Sequence, residues 1–323
     1  MKDGYGREIN YIRISLTDRC NLRCAYCMPE GVELVPREEI LREQEILLIA
    51  RAAADLGICH VKITGGEPLV RRCCDSLVRG LKSIPGIRTV TLTTNGILLK
   101  EHLQELKDGG IDGINISLDT TDPERYRAIT GGGDVARAVE AVHTCVEAGI
   151  RTKINAVAMR EDNGDLLLFA RDLPVDVRFI EIMPIGFGKQ FRPVDNRRLL
   201  DAIRRDYPGI VRDNTKHGNG PAVYYRIPGF RGSVGFISAL HGKFCSSCNR
   251  VRLTSMGYLK TCLCYEDGTD LRKIVRDPEL SEPVKKEQLK RAIREAVLKK
   301  PEAHCFDAPG EITENHLMAS IGG

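Results

Sequence analysis

Three cysteines near the amino terminus have the spacing of a cluster-binding loop. Cys20, Cys24 and Cys27 are separated by three and then two residues. Three thiolates in one short loop can hold three irons of a four-iron, four-sulfur cluster and leave the fourth iron open to a small molecule. A zinc loop is the alternative reading, although a structural zinc site takes all four ligands from the chain. The loop therefore predicts a cluster with one free coordination position.

A second group of three cysteines lies in the carboxyl-terminal part of the chain. Cys245, Cys248 and Cys262 are separated by two and then thirteen residues, and they predict a second cluster with an open iron. Cys264 leaves another interpretation open, because with it the group could form a closed, four-ligand zinc site. The other cysteines are expected to bind no metal: Cys59, Cys73, Cys74, Cys145 and Cys305.

Short polar motifs follow several apolar runs. Residues 64–68 read Thr-Gly-Gly-Glu-Pro, where the glycines permit close approach of a ligand to the backbone and the proline fixes a turn. Residues 93–96 and 117–119 place hydroxyls and a carboxylate after two later runs, which suits ribose or amine groups. A plain turn or a helix N-cap would use the same residue types, so each motif alone is weak.

Strands alternating with helices must position these motifs. Apolar and β-branched runs, each followed by a helical pattern, end near Ser15, Thr64, Thr93, Ser117, Ala156 and Ile182. Helical periodicity covers residues 44–56, 134–147, 163–172 and 285–300. Six βα units with a repeat of roughly thirty residues predict an α/β fold, an incomplete (βα)6 barrel of the TIM type with a parallel sheet.

The composition changes after the sixth unit. Residues 206–221 are expected to form a loop, and shorter strands are expected at residues 222–227 and 233–238. We therefore predict two domains: a partial barrel over residues 1–205 and a smaller α+β module over residues 206–323 that carries the second cluster.

Three basic residues lie inside predicted strands: Arg13, Lys62 and Lys153. Guanidinium groups make two-point contacts to phosphate oxygens, and lysines act as mobile point charges. An unpaired cation is costly to bury, which weighs against a plain surface charge at all three positions. A surface position remains the alternative for each, because alternate side chains of a strand point outward.

Charge and composition limit the classes of partner. Lys and Arg number 48 against 44 Asp and Glu, a formal charge of +4 that predicts neither nucleic-acid nor membrane binding. Residues 1–10 lack the apolar segment of a signal peptide, and no apolar stretch approaches membrane length. Twelve cysteines in metal-like spacings without such a signal indicate a reducing compartment, and we predict a cytoplasmic protein.

The first cysteine loop and the Gly-Gly-Glu-Pro motif together resemble the radical S-adenosylmethionine (SAM) superfamily, in which SAM chelates the open iron. With the second cysteine group, the segment Cys248-Asn249-Arg250-Val251-Arg252 and a terminal Gly322-Gly323, the chain resembles the GTP 3',8-cyclase family. The resemblance implies two 4Fe-4S clusters, SAM and GTP. It also implies conversion of GTP to (8S)-3',8-cyclo-7,8-dihydroguanosine 5'-triphosphate, the first step of molybdenum-cofactor biosynthesis.

The same resemblance implies roles for individual residues. The cluster ligands would be Cys20, Cys24, Cys27, Cys245, Cys248 and Cys262, and SAM would contact Tyr26, Gly66, Ser117 and Met183. GTP would contact Arg13, Lys62, Thr93, Lys153, Arg250, Val251 and Arg252, with Arg178 as a less certain basic neighbour. The catalytic residues would be Arg250, Arg252, Gly322 and Gly323. His60 stands where relatives can carry Lys, so we expect GTP binding to weaken as the pH rises past the pKa of this histidine.

Partners and competing functions follow from this reading. A one-electron reductant such as flavodoxin or ferredoxin, a downstream cyclic pyranopterin monophosphate synthase and a homodimer are implied, with no nucleic acid and no membrane. A peptide-modifying radical SAM enzyme is the first alternative, and it would carry more iron than two clusters. The second alternative is a non-enzymatic zinc scaffold, for which closed four-ligand sites are expected.

Overall fold

The strands of the chain form one continuous sheet in the computed structural model, which describes residues 1–160 and 164–322. The strands are β1 (Tyr11–Ser15), β2 (His60–Thr64), β3 (Thr89–Thr94), β4 (Gly113–Ser117), β5 (Thr152–Ala158), β6 (Asp176–Glu181), β7 (Val211–Asp213), β8 (Val223–Arg226), β9 (Val234–Ile237), β10 (Arg250–Leu253), β11 (Tyr258–Lys260) and β12 (Thr269–Asp270). The helices are α1 (Glu43–Asp55), α2 (Cys74–Lys82), α3 (Leu99–Asp108), α4 (Pro123–Thr130), α5 (Val135–Glu147), α6 (Gly164–Asp172), α7 (Asn196–Asp206), α8 (Arg272–Val275) and α9 (Glu282–Leu298).

The central part of the sheet is parallel. Its order is β12-β11-β10-β1-β2-β3-β4-β5-β6-β9-β8-β7, and the strands from β10 to β9 in this order pair in parallel. The outer strands at both sides pair antiparallel. The predicted partial barrel is confirmed, and in the described chain the sheet does not close, since β12 and β7 are its two edges.

The carboxyl-terminal strands extend the barrel sheet rather than forming a sheet of their own. β9 pairs with β6 and β10 pairs with β1, so residues after the sixth unit flank the barrel on both sides. The strands predicted at residues 222–227 and 233–238 are β8 and β9. The loop predicted over residues 206–221 was wrong in one part, because β7 lies within it. This strand has only three residues, two of them exposed, and depends on pairing with β8.

The predicted helices are confirmed in position as α1, α5, α6 and α9, with ends that move by up to three residues. Asn163, the predicted first residue of the third of them, lies outside the described residues. Aspartates begin several helices: Asp122 accepts hydrogen bonds from the backbone N–H groups of Glu124 and Arg125, and Asp134 accepts one from Ala136. Within the described residues, every helix is too short or too polar to cross a membrane.

Strand alternation separates an apolar outer layer from a polar interior. In β1, Ile12 and Ile14 are buried in the core between sheet and helices, whereas Arg13 faces the inside of the barrel. In β2, Ile63 belongs to that core and Lys62 faces inward. The hydrophobic core therefore lies outside the barrel strands, and the interior is left to side chains that can bind a polar ligand.

Candidate functional site

A cavity of about 900 Å³ occupies the interior of the barrel and continues to the carboxyl-terminal module. Both predicted cysteine sets line it, as do all the predicted SAM contacts and every predicted GTP contact except one. The exception is Val251, which is fully buried in the hydrophobic core because its side chain alternates with those of Arg250 and Arg252 in β10. The side chain of Val251 therefore cannot contact a ligand in the cavity.

The first cysteine loop is folded as a compact turn between β1 and α1. The carbonyl oxygen of Cys24 accepts hydrogen bonds from the backbone N–H groups of Cys27 and Met28, at 3.0 and 2.9 Å. Backbone bonds from Arg23 to Thr130 and from Ala25 to Ile129 attach the loop to the end of α4. Burial is the main cause that raises the pKa of Cys27 to about 12, so a metal that binds this thiol must displace its proton.

Tyr26 is anchored by a buried carboxylate. Its hydroxyl donates to Oδ2 of Asp119 at 2.8 Å, and the other oxygen of Asp119 accepts the backbone N–H of Val157 at 2.8 Å. Burial raises the pKa of Asp119 to about 6. The carboxylate that follows β4 therefore positions the cysteine loop, whereas its sequence motif had favoured contact with ribose or an amine.

The Gly-Gly-Glu-Pro segment lies directly against the chain that precedes Cys20. The backbone N–H of Gly66 donates to the carbonyl of Thr17 at 2.6 Å, and a Cβ atom on Gly66 would come within 2.2 Å of the carbonyl oxygen of Arg19. Only glycine fits at this close approach. The motif thus holds the cysteine loop in place, and its residues 65–67 line the cavity.

Glu67 of this motif connects β2 to the end of β3. Its carboxylate accepts hydrogen bonds from the backbone N–H of Asn95 at 2.7 Å and the hydroxyl of Thr94 at 2.8 Å. The amide of Asn95 in turn donates to Oδ1 of Asn21 at 2.7 Å, beside the first cluster ligand. Burial raises the pKa of Glu67 to about 7. Glu67 is a positioning residue that sequence analysis did not single out.

Ser117 and Met183 also line the cavity, just at or after the carboxyl ends of β4 and β6. Thr93 lines it from β3, and its hydroxyl accepts a hydrogen bond from the side chain of Asn115 at 3.4 Å. The predicted SAM contacts therefore gather at one end of the barrel, as expected for the carboxyl ends of parallel strands.

Cations occupy the middle of the barrel in register. Arg13 in β1 is paired with Lys62 in β2 on one side and with Arg252 in β10 on the other, so the three side chains form one row across the interior. Arg178 in β6 faces the same space and donates to the side chain of Asn155. All three predicted strand cations thus point inward, and the surface alternative for Arg13, Lys62 and Lys153 is excluded.

Lys62 carries the clearest sign of an anion site. Only 7% of the residue is exposed, and within the described residues its ammonium makes no hydrogen bond or ion pair. Burial and the neighbouring cations, Arg178 and Arg13 foremost, hold its pKa well below the ordinary value. Burial likewise lowers the pKa of Arg13 to about 10. Burying the ammonium of Lys62 beside other cations costs free energy, and a bound polyanion would offset that cost.

Lys153 lies at the amino end of the barrel in a polar network. Its ammonium donates to Oδ2 of Asp176 and to the carbonyl of His217, both at 2.6 Å, and to the hydroxyl of Tyr224 at 2.9 Å. Burial is the main cause that lowers the pKa of Lys153 to about 8. Residues 212–224 also line the cavity, and His217 and Tyr224 of this segment contact Lys153 directly.

The second cysteine set lies among positive charges. The ammonium of Lys300 donates to the carbonyl oxygens of Arg250 and Thr261, which flank this set. Burial opposes ionisation of Cys248, but the charges of Lys300 and Arg250, a backbone hydrogen bond from Arg250 and the charge of Arg7 together lower its pKa. Arg7, from the amino-terminal segment, donates to the carbonyl of Cys245 at 2.9 Å.

The carboxyl terminus enters the mouth of the barrel. The carbonyl of Gly322 accepts a hydrogen bond from the guanidinium of Arg252. Gly322 has φ +77°, and a Cβ atom there would lie 3.0 Å from Oγ1 of Thr64 and 3.3 Å from Cβ of Ser15. The tail thus reaches the ends of β1 and β2, whereas Gly323 lies outside the described residues.

One compact group of possible metal ligands lies outside both cysteine triads. In the described chain, the ligand atoms of three metal-binding residues all come within 4.8 Å of one another only for Glu181, Asp195 and His241. The carboxylate of Glu181 is already occupied by the backbone N–H groups of Leu240 and His241.

Several residues at the site had no local signal in the sequence. Asp176, His217 and Tyr224 surround Lys153 only because β6, β8 and the loop between β7 and β8 meet there. In the sequence, Lys300 ends the charged segment 285–300 and resembles a solvent-exposed residue of that helix. His60 does not line the cavity: its Nδ1 lies 2.8 Å from the hydroxyl of Thr89, and burial lowers its pKa.

Comparison with known proteins agrees with this geometry. The model of the Radical SAM superfamily matches residues 14–173, and the model named Molybdenum Cofactor Synthesis C matches residues 175–306. A Pelotomaculum thermopropionicum protein named GTP 3',8-cyclase is 44% identical over 332 residues, and one from Clostridium perfringens (strain 13 / Type A) is 40% identical over 328 residues. Each alignment covers 100% of this chain and of the relative.

Among solved structures, Streptococcus suis SuiB bound to S-adenosylmethionine superimposes with a TM-score of 0.67. The match covers 97% of this chain and 77% of that chain at 16% identity, so it shows a shared fold alone. The full-length matches to the two named cyclases, at 40% and 44% identity, show the family. The chain belongs to the GTP 3',8-cyclase family of radical SAM enzymes.

Proposed function

We propose that the chain converts GTP to (8S)-3',8-cyclo-7,8-dihydroguanosine 5'-triphosphate, the first step of molybdenum-cofactor biosynthesis. One observation supports this most strongly: the buried ammonium of Lys62, in register with Arg13 and close to Arg178, lines the same cavity as both cysteine triads. A triphosphate between the two clusters would neutralise these cations. It would also bring the rest of the nucleotide within reach of both cysteine sets.

Two 4Fe-4S clusters fit the cysteines. Cys20, Cys24 and Cys27 would hold the first cluster, at which SAM binds, and Cys245, Cys248 and Cys262 would hold the second. When bound, these groups would supply one-electron chemistry: one electron from the first cluster would cleave SAM to methionine and a 5'-deoxyadenosyl radical, which would take the hydrogen atom from ribose C3'. The C3' radical would bond to guanine C8, and one electron, supplied through the second cluster, and one proton would complete the product. Each triad provides three protein ligands, so a small molecule can complete either cluster.

The chain's own residues would bind and orient the two substrates. Arg13, Lys62 and Lys153 would contact the triphosphate, with Arg178 beside them, since all four cations face the interior. Thr93 would donate a hydroxyl contact from β3. At the other end, SAM would contact Tyr26, Gly66, Ser117 and Met183, which line the cavity near the first cysteine loop.

The second module and the tail would complete the reaction site. Arg250 and Arg252 project from β10 into the cavity, and Arg252 binds the carbonyl of Gly322. We assign catalytic roles to Arg250, Arg252, Gly322 and Gly323, because a tail seated at the mouth would exclude water from a radical reaction. Gly322 permits an approach to Thr64 and Ser15 that a side chain would block.

Partners and location extend this proposal. We infer a one-electron reductant such as flavodoxin or ferredoxin, and a cyclic pyranopterin monophosphate synthase that consumes the product. None of the twelve cysteines, all of them described, forms a disulfide, and we infer a reducing compartment such as the cytoplasm. A homodimer and a domain boundary between residues 205 and 206 stay predictions.

The proposal is tested by anaerobic incubation of the iron-reconstituted protein with SAM, GTP and dithionite. We expect deoxyadenosine and a guanine-derived cyclised nucleotide by mass spectrometry. If deoxyadenosine forms but GTP is not consumed, the chain would be a radical SAM enzyme that acts on another substrate, such as a peptide. Absence of deoxyadenosine from a fully loaded protein would contradict both enzymatic functions.

A further inference from the structure

Two buried cysteines outside both ligand triads face each other. The Sγ atoms of Cys264 and Cys305 lie 3.0 Å apart, about 1 Å more than the length of a disulfide bond. The backbone N–H of Cys305 also points at the sulfur of Cys264, at 3.4 Å. Cys264 is fully buried and Cys305 is 7% exposed. Only a small movement would bring the two sulfurs to bonding distance.

The pair adjoins the second cysteine set but lies outside the cavity lining. Cys245, Cys248 and Cys262 line the cavity, whereas Cys264 and Cys305 pack in a small apolar cluster with Ala239, Ile312 and Ile321, against which Cys262 also packs. Cys264 follows Cys262, a proposed ligand, by two residues, but it is fully buried and is not among the residues that line the cavity.

The pair lies where the carboxyl-terminal segment attaches to the module. The backbone N–H of Glu314 donates to the carbonyl of Cys264 at 3.2 Å, and the carboxylate of Glu314 forms a buried ion pair with Lys260 at 2.6 Å. The segment then continues to Gly322 at the mouth of the barrel. A bond between Cys264 and Cys305 would fix the beginning of the segment that ends in the reaction site.

We propose that Cys264 and Cys305 are a redox-active dithiol that closes to a disulfide and attaches the carboxyl-terminal segment covalently to the second module. The oxidant is a low-molecular-weight disulfide. The sulfur of Cys305, the more accessible one, attacks it and releases one small thiol; Cys264 then attacks Cys305 and releases the second. Two protein thiols lose two electrons and two protons, and one small disulfide becomes two thiols.

A link between positions 41 residues apart restricts the unfolded chain. We expect the oxidised protein to melt about 5 °C higher than the reduced protein, by loop-closure entropy for a chain of this size. The tail already makes its native contacts when both cysteines are reduced. Formation of the disulfide should therefore leave the contacts of the segment unchanged.

The test uses the cluster-loaded protein under anaerobic conditions with excess oxidised glutathione. After free thiols are alkylated, peptide mapping should show a Cys264–Cys305 cross-link, while Cys59 shows no link to another cysteine of the chain. The higher melting temperature should disappear after treatment with dithiothreitol. Alkylation of both Cys264 and Cys305 as free thiols, or cross-links confined to the cluster ligands, would overturn the proposal.

Variants separate the link from general oxidation. Cys305→Ser and Cys264→Ser should each abolish both the cross-link and the melting shift, whereas Cys59→Ser should keep both. A melting shift that survives in Cys305→Ser would contradict the assignment. The peptide map of the unmodified chain decides the question even if one variant does not fold, and its result does not depend on turnover of GTP.

Discussion

Acidic and basic side chains are segregated along the cavity. Near the first cysteine triad lie two carboxyl groups, and burial raises the pKa of Asp119 to about 6 and that of Glu67 to about 7. Near the second triad lie Arg250 and Lys300, which favour the thiolate of Cys248. If the proposed sites are correct, this charge distribution would favour the anionic nucleotide toward the second triad and the sulfonium of SAM at the first.

Replacement of Lys62 by methionine should have opposite effects on GTP binding and on thermal stability. The buried ammonium costs stability because its pKa is held low, so Lys62→Met should raise the melting temperature of the ligand-free protein by roughly 2–5 °C. The same change should weaken GTP binding roughly 10- to 100-fold. Calorimetry would measure both effects. Lys100→Met, at an exposed site, is the matched control and should alter neither.

Lys153 should make GTP binding depend on pH. Its pKa of about 8 means that the side chain is a cation below this pH and loses its charge above it. GTP affinity should therefore fall above pH 8, by at most about tenfold per pH unit. In Lys153→Arg the charge persists, so affinity should stay nearly constant between pH 7 and 9. An equal decline in both proteins would rule out Lys153 as the titrating group.

His60 should have little influence on binding near neutral pH. Burial and the charges of Lys216 and Arg88 hold its pKa below the ordinary value, so it is already neutral at pH 7. We expect GTP affinity to change less than twofold between pH 7 and 8. A decline centred near pH 6.5 that disappears in His60→Gln would restore the sequence-based expectation for this residue.

At the scale of elements, strand alternation and register explain what the sequence could predict. The inward positions of Arg13 and Lys62 follow from period-two patterns in β1 and β2, and the carboxyl ends of the strands hold the predicted motifs. Contacts between residues far apart in the chain produce no periodic pattern in the sequence. The pairing of Lys153 with Asp176, and of Cys264 with Cys305, depends on how strands and tail pack in three dimensions.

The tail is the element whose removal should be most selective. Deletion of Gly322 and Gly323 should abolish cyclisation and leave SAM cleavage intact. Gly322→Ala should act in the same direction, at least tenfold, because its φ of +77° and the 3.0 Å approach to Thr64 disfavour a side chain. Product and deoxyadenosine would be quantified together.

Gly310→Ala is the control for the tail, since it lies in the same segment with open space around it. This variant should retain normal product formation. Normal cyclisation by the truncated protein would show that the tail does not take part in the reaction.

At the scale of the whole molecule, one sheet unites both cysteine triads. β10 follows Cys245 and Cys248 in the chain and lies beside β1. β1 precedes the first cysteine loop. This parallel pairing of distant segments places two potential clusters on one cavity without a hinge between separate sheets. The sequence predicted both triads, but their arrangement around a shared cavity required the fold.

Iron content should report the number of clusters and their ligands. The reconstituted protein should hold about eight irons per chain, and Cys262→Ser about four. Cys264→Ser should stay at about eight, because Cys264 is fully buried and does not line the cavity. Loss of metal in Cys264→Ser, or zinc in place of iron, would support the closed four-ligand site instead.

The most direct test of the account follows one hydrogen atom. GTP deuterated at ribose C3' would be incubated anaerobically with SAM, dithionite and the cluster-loaded protein, and the deoxyadenosine would be examined by mass spectrometry. We predict one deuterium in deoxyadenosine from this substrate and none from GTP labelled at C8. Unlabelled deoxyadenosine from the C3'-deuterated substrate would contradict abstraction at C3' and with it the proposed cyclisation.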